Sequence, residues 1–93
     1  MNENLPFISI IITCFNSKKT ILETIDSIVN QTYQYWECII VDDKSTDNSQ
    51  EIIRDYIKDD ERFLFIEMQS NNGKSFNLNY ALSITRAEII INS

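Results

Sequence analysis

Ile39-Ile40-Val41-Asp42-Asp43-Lys44-Ser45 is the stretch that decides the fold of this 93-residue chain. Three β-branched residues in succession suit a strand buried on both faces, as in the interior of a parallel sheet. Two carboxylates cannot follow them into that interior, so Asp42 and Asp43 are expected where the strand leaves the sheet. In open α/β sheets the carboxyl edge is where ligands collect. Other polar residues should then converge on that edge.

Working outward, the apolar run over 7–13 reads as a first strand, and Asn16-Ser17-Lys18-Lys19 as a turn with capping residues. Ile21, Ile25, Ile28 and Val29 fall on one stripe of an amphipathic helix. The second strand covers 35–41. Ser45 to Asn48 offer several caps for a second helix, and Asn48 with Glu51 has capping-box spacing. Ile52, Ile53, Tyr56 and Ile57 form its core stripe. A third strand over 63–68 and a polar loop with the only glycine, Gly73, come next. A third helix carries Phe76, Tyr80, Ala81 and Ile84, and 88–92 reads as a fourth strand. The order βαβαβαβ implies an α/β fold, a Rossmann-like three-layer α/β/α arrangement on a mainly parallel four-stranded sheet with right-handed crossovers.

Composition narrows the function. Fourteen acidic and eight basic residues give a formal net charge of -6 with no histidine, which argues against a sequence-independent nucleic-acid binder, since that would need a basic face for the phosphates. No apolar run approaches the roughly 20 residues of a membrane span, and the first residues lack the pattern of a signal peptide. Cys14 and Cys38 fall at different heights on neighbouring strands, beyond disulfide reach, so both are expected as reduced thiols in a cytoplasmic protein.

Three polar clusters follow three strands: Thr13 to Asn16, Asp42 with Asp43, and Asn71 to Asn79. A parallel sheet brings all three to one edge. Each alone also has a structural reading. Asn16 and Ser17 can cap a helix, Asp42-Asp43 can form a turn, and Asn71-Asn72-Gly73 is an ordinary left-handed turn.

Taken together the clusters are more specific. Thr13-Cys14-Phe15-Asn16, then Ser27 to Thr32, then Glu37 to Asp47, in this order and spacing, resemble family 2 glycosyltransferases. Asn71-Asn72-Gly73-Lys74-Ser75-Phe76-Asn77-Leu78-Asn79 resembles the loop and helix that follow in that family. The resemblance runs from Ile8 to Ile91 and implies the nucleotide-binding half of a GT-A domain across residues 1–93. Members move a sugar from a nucleotide-diphosphate donor, here expected to be a UDP-sugar, to a glycan or lipid-linked acceptor with inversion. Carried over by position, Thr13 and Phe15 match the base and ribose pocket, and Asn16 the end of the first loop. Asp43 matches the carboxylate that reads the base, with Asp42 its partner. Asn71, Gly73 and Asn79 match the segment bordering the donor. A carboxylate can accept an imide N–H, and an aromatic ring can cover the base.

The sequence also departs from the family. Leu78 stands where arginine is common, Lys44 where glycine is common, and Ala87 where a glycine precedes the fourth strand. Lys44 is expected to neutralise the neighbouring aspartates rather than bind phosphate. The family's metal-binding Asp-x-Asp follows the fourth strand, and its general base lies further on, so neither the Mg or Mn ligands nor a catalytic residue is expected in this chain. The chain is thus expected to be incomplete at its C-terminus and inactive alone, its parent lying in the cytoplasm or at the inner face of a membrane.

Two other readings compete. A non-catalytic assembly module would self-associate through an open edge at 88–92. A phospho-acceptor receiver domain also pairs acids after a strand, but there the pair follows the first strand and needs a later strand-end aspartate and lysine.

Overall fold

The computed structural model of the chain describes residues 5–87 and the backbone of 89–92. Strands β1 (Ile8–Cys14), β2 (Trp36–Asp42), β3 (Phe63–Glu67) and β4 (Ile89–Asn92) alternate with helices α1 (Ile21–Val29), α2 (Ser49–Ile57) and α3 (Lys74–Ile84). They form one sheet in the order β3-β2-β1-β4, and each neighbouring pair is parallel. The expected fourth strand is present, although its first expected residue, Glu88, lies outside the described residues.

Alternation along the strands builds two cores. Ile10, Ile12 and Cys14 of β1 join Cys38 and Ile40 of β2 on the face covered by Ile21, Ile25 and Ile28 of α1 and Ile53 and Ile57 of α2. Ile11, Ile39 and Val41 point to the other face, where Ala81, Leu78 and Ile84 of α3 meet them. Ile39, Ile40 and Val41 are at most 2% exposed, and each such side chain contributes about 1.5–3 kcal/mol by leaving water.

The topology positions the site. From β1 to β2 to β3 the chain moves one way across the sheet, with α1 and α2 on one face. It then returns past β1 to β4 with α3 on the other face. Crossovers of constant hand require that change of face. The reversal lies between β1 and β4, and loops diverge there at the carboxyl edge to leave a crevice.

Several expectations change in detail. β1 and β2 each run one residue further than the hydrophobic runs suggest, so Asp42 is the last residue of β2 and is fully buried. A charge is tolerated there because donors surround it, as described below. Helix α2 is not capped by Asn48, which adopts a left-handed φ of 74° and makes no side-chain cap. Asp47 Oδ1 accepts the Ser49 N–H at 3.1 Å instead. Tyr56 is 43% exposed rather than core, and its hydroxyl donates to Asp26 of α1 at 2.6 Å. Phe76 and Tyr80 are 54% and 42% exposed, because α3 turns Asn77 and Ala81 toward the sheet.

Candidate nucleotide site at the carboxyl edge of the sheet

Asp42 and Asp43 are adjacent in sequence but differ in what they have left to offer. Asp42 Oδ2 accepts the Ser45 N–H and the Gln50 Nε2–H, both at 2.8 Å. Its Oδ1 accepts the Ser45 hydroxyl at 2.5 Å and the Cys14 thiol at 3.5 Å. A carboxylate has about four lone-pair positions, and all of those on Asp42 are taken. It is a knot that holds the β2–α2 loop to β1.

The same loop is tied to the β1–α1 loop. The Asn16 N–H donates to Ser45 Oγ at 2.8 Å, and the Thr46 N–H donates to Asn16 Oδ1 at 2.8 Å. The Ser17 N–H donates to Ser49 Oγ at 3.0 Å, and the Lys18 N–H to Asp47 Oδ2 at 3.2 Å. Both amide groups of Asn16 therefore serve loop geometry. Its φ of 51° and the φ of 61° at Lys44 lie in the left-handed region. Lysine is strained there, which gives a physical reason for the glycine that the family resemblance expects at that position.

Asp43 reaches the opposite way, toward the β3–α3 loop. Its Oδ1 accepts the Asn72 N–H at 2.7 Å and the Asn77 Nδ2–H at 2.9 Å, and its Oδ2 accepts the Gly73 N–H at 3.2 Å. The Asn71 side chain donates to the Asp43 carbonyl. Gly73 stands at φ 88° and ψ 161°, a conformation suited to glycine, and starts α3 without a side-chain cap. The Asn72 N–H foremost, then Asn77, hold the Asp43 carboxyl below the usual carboxylate range. Asp43 is half-buried and ionised, and one of its lone-pair positions remains open.

That carboxylate borders a pocket lined by Thr13, Cys14, Phe15, Asp43, Lys74 and Asn77. Phe15 is 51% exposed, so its ring offers an open apolar face beside an acceptor. Lys74, in the first turn of α3, brings a cation and the positive end of the helix dipole to the same pocket. Burial, then the Asp42 charge, pushes the Cys14 thiol up to about 12, so it is a wall and not a nucleophile. The arrangement suits a flat ring carrying an N–H donor, joined to an anionic group.

The glycosyl transferase family 2 model matches residues 9–93. The chain belongs to glycosyltransferase family 2. The poly-beta-1,6-N-acetyl-D-glucosamine synthase of Staphylococcus epidermidis is 33% identical over 90 residues, 97% of this chain and 22% of that protein. Among solved structures, a mannosyltransferase from Pyrobaculum calidifontis in complex with GDP-Man and Mn2+ superposes with a TM-score of 0.86 at 27% identity, covering 95% of this chain and 27% of that one. S. aureus TarS in complex with UDP-GlcNAc gives a TM-score of 0.84 at 26% identity, covering 91% of this chain and 25% of that one. The fold is that of GT-A glycosyltransferases. The chain spans about a quarter of the length of these relatives.

Within this family-2 chain the expected site residues separate into three groups. Thr13, Phe15 and Asp43 line the pocket. Asn71 and Gly73 brace Asp43, while Asn16 and Asp42 tie the loops together. Asn79 is exposed and sits about 200° around α3 from Asn77, away from the pocket wall. Sequence reasoning passed over Lys74 and Asn77. No local signal marked Asn77: Phe76 and Tyr80 compete with Ala81 for the inward stripe of α3, and only docking on the sheet turns Asn77 and Ala81 inward.

A metal does not fit these carboxylates. Asp42 and Asp43 already accept N–H and O–H donors, and among the described residues no three His, Cys, Asp or Glu side chains cluster as ligands. The mannosyltransferase neighbour is in complex with Mn2+, and no cluster of metal ligands is found among the described residues of this chain.

Proposed function

We propose that this chain is the donor-nucleotide half of an inverting nucleotide-sugar glycosyltransferase, with a UDP-sugar as donor and a glycan or lipid-linked acceptor. The observation that carries this reading is the ionised Asp43, held by three N–H donors and facing a pocket walled by Phe15 and Lys74. An imide N–H would bond to the open Asp43 oxygen, the ring would lie against Phe15, and Lys74 would approach the diphosphate. Thr13 would border the ribose. UDP-GlcNAc and GDP-Man as ligands of the structural neighbours support a nucleotide-sugar partner.

The catalytic steps belong elsewhere in the parent protein. Inverting transfer needs a general base at the acceptor hydroxyl and a cation, Mg or Mn, to stabilise the departing diphosphate. Both are assigned to other segments of the parent in this reading, in which the isolated chain binds the donor without turnover. The relative that makes poly-N-acetylglucosamine supports a role in polysaccharide biosynthesis. The two free, buried cysteines support a reducing, cytoplasmic setting, with the parent acting at the inner face of a membrane.

Calorimetry with UDP tests the reading. Asp43→Ala should weaken binding about tenfold or more, the effect of one hydrogen bond to a charged group, while circular dichroism shows the fold retained. Unchanged UDP affinity in Asp43→Ala, or no binding of UDP to the full-length protein, would overturn it.

A further inference from the structure

We propose that Asn77 sets which base this site accepts, by filling one oxygen of Asp43 and leaving the carboxylate a single open acceptor. The inference rests on Asp43 being the base-facing carboxylate. Asp43 Oδ1 already holds the Asn72 N–H at 2.7 Å and the Asn77 Nδ2–H at 2.9 Å, and Oδ2 holds the Gly73 N–H at 3.2 Å, with the Asn71 amide near the carboxyl but donating to the Asp43 carbonyl. With two lone pairs on each oxygen, Oδ1 is full and Oδ2 has one position left.

Base edges differ in the donors they present. Uracil offers one imide N–H between two carbonyls, which a single acceptor reads completely. Guanine offers two parallel donors, the ring N1–H and the exocyclic N2–H, and a carboxylate reads both only if each oxygen has a free lone pair. In this site the second oxygen is taken by Asn77. A guanine would leave its N2–H unpaired as it is desolvated, a loss that sites built on hydrogen bonds punish strongly.

The state of the Asn77 amide supports a role beyond packing. Asn77 is 1% exposed and its Oδ1 has no hydrogen-bond partner. Turning the amide over would set that oxygen against the Asp43 carboxylate, so the orientation with Nδ2 toward Asp43 is the stable one. A buried amide left half unsatisfied is destabilising, and the neighbouring face of α3 is apolar, with Leu78 and Ala81 in the core. An apolar residue would serve packing better. What the amide adds is its donation to Asp43, on the wall of the pocket.

Calorimetry with UDP, GDP and IDP, the last lacking the guanine amino group, tests this on the full-length protein and on Asn77→Ala. The protein should prefer UDP to GDP by about tenfold or more, and bind GDP and IDP within about twofold of each other. In Asn77→Ala, GDP should gain about fivefold over IDP, and the UDP preference should shrink by a similar factor. A common loss for all three nucleotides in Asn77→Ala, with their ratios unchanged, would overturn the proposal. So would a GDP-over-IDP preference of about fivefold in the unmodified protein, a comparison that holds even if the variant does not fold. Binding of UDP and GDP with equal affinity would overturn only the role of Asn77. Binding of none would overturn the reading of Asp43 itself.

Discussion

Strand β2 carries acidic groups at both ends, and the two ends have opposite fates. At the amino end Glu37 is 7% exposed and its carboxylate is closed by its own chain. It accepts the Ser9 hydroxyl at 2.5 Å, the Arg86 N–H at 3.2 Å, and Arg86 Nε–H and Nη2–H at 3.2 and 2.9 Å. At the carboxyl end Asp42 is equally closed, but Asp43 keeps an open acceptor beside a pocket. Backbone conformation divides the same way. Among the described residues the left-handed positions Asn16, Lys44, Asn48 and Gly73 all lie in loops at the carboxyl edge. A charged cluster at the end of a strand is therefore not by itself a site. The site is where acceptor capacity is left over and where the backbone holds strained conformations to leave it so.

The largest expected effect comes from breaking the closed half of the carboxyl edge. Asp42→Ala strands the Ser45 N–H, the Gln50 amide and the Cys14 thiol around a buried gap. Urea denaturation should show a loss of about 3 kcal/mol or more, and nucleotide binding should fail with it. A loss under about 1 kcal/mol would mean that water replaces the carboxylate and the knot is dispensable.

Glu37→Gln probes the amino edge. It keeps the shape, but removes the charge that Arg86 and Ser9 address. Stability should fall by about 1–3 kcal/mol, with UDP affinity unchanged. A variant that loses UDP binding while remaining folded would show that the two edges are coupled.

Acid separates the edges by readout. Burial raises the Glu37 carboxyl, but the Ser9 hydroxyl and then Arg86 outweigh it, so the folded value is lowered. Asp43 is lowered by the Asn72 N–H first and Asn77 next. A folded value below the unfolded one means the stabilisation is complete above the ordinary carboxylate range, near pH 4, and is lost as pH falls through the lower folded value. Thermal midpoints should therefore drop from about pH 5 to about pH 3, with part of the slope removed by Glu37→Gln and part by Asp43→Asn. UDP affinity should fall in that window through Asp43 alone.

The smallest effect concerns strain. Lys44→Gly should relieve the left-handed backbone and stabilise the fold by about 0.5–1 kcal/mol, read as a small rise in melting temperature. A fall would show that the lysine side chain contributes more than its backbone costs.

Much of this was legible in the chain itself. The β-branched runs at Ile10 to Ile12 and Ile39 to Val41 required strands buried on both faces. The Ile21, Ile25, Ile28 stripe required a helix on one of those faces. Alternation of the two required a parallel sheet whose loops meet at one edge, and so placed Asp43 with Thr13 and Phe15. These follow from periodicity and connection length, both local properties of a sequence.

What each polar residue does was decided only by the assembled sheet. Asp42 and Asp43 have the same chemistry and adjacent positions. One is saturated because β1 brings Cys14 beside it and its loop folds Ser45 back, and the other keeps an open position because the β3–α3 loop and α3 bring three N–H donors to its carboxylate while the Asn71 amide donates to its carbonyl. Phe76 and Tyr80 look like a core stripe until α3 docks through Asn77 and Ala81. Hydrogen-bond capacity is spent across 28 to 34 residues of separation, as between Cys14 and Asp42 or Asp43 and Asn77. No local pattern records which donors will arrive, because the sheet register brings them together.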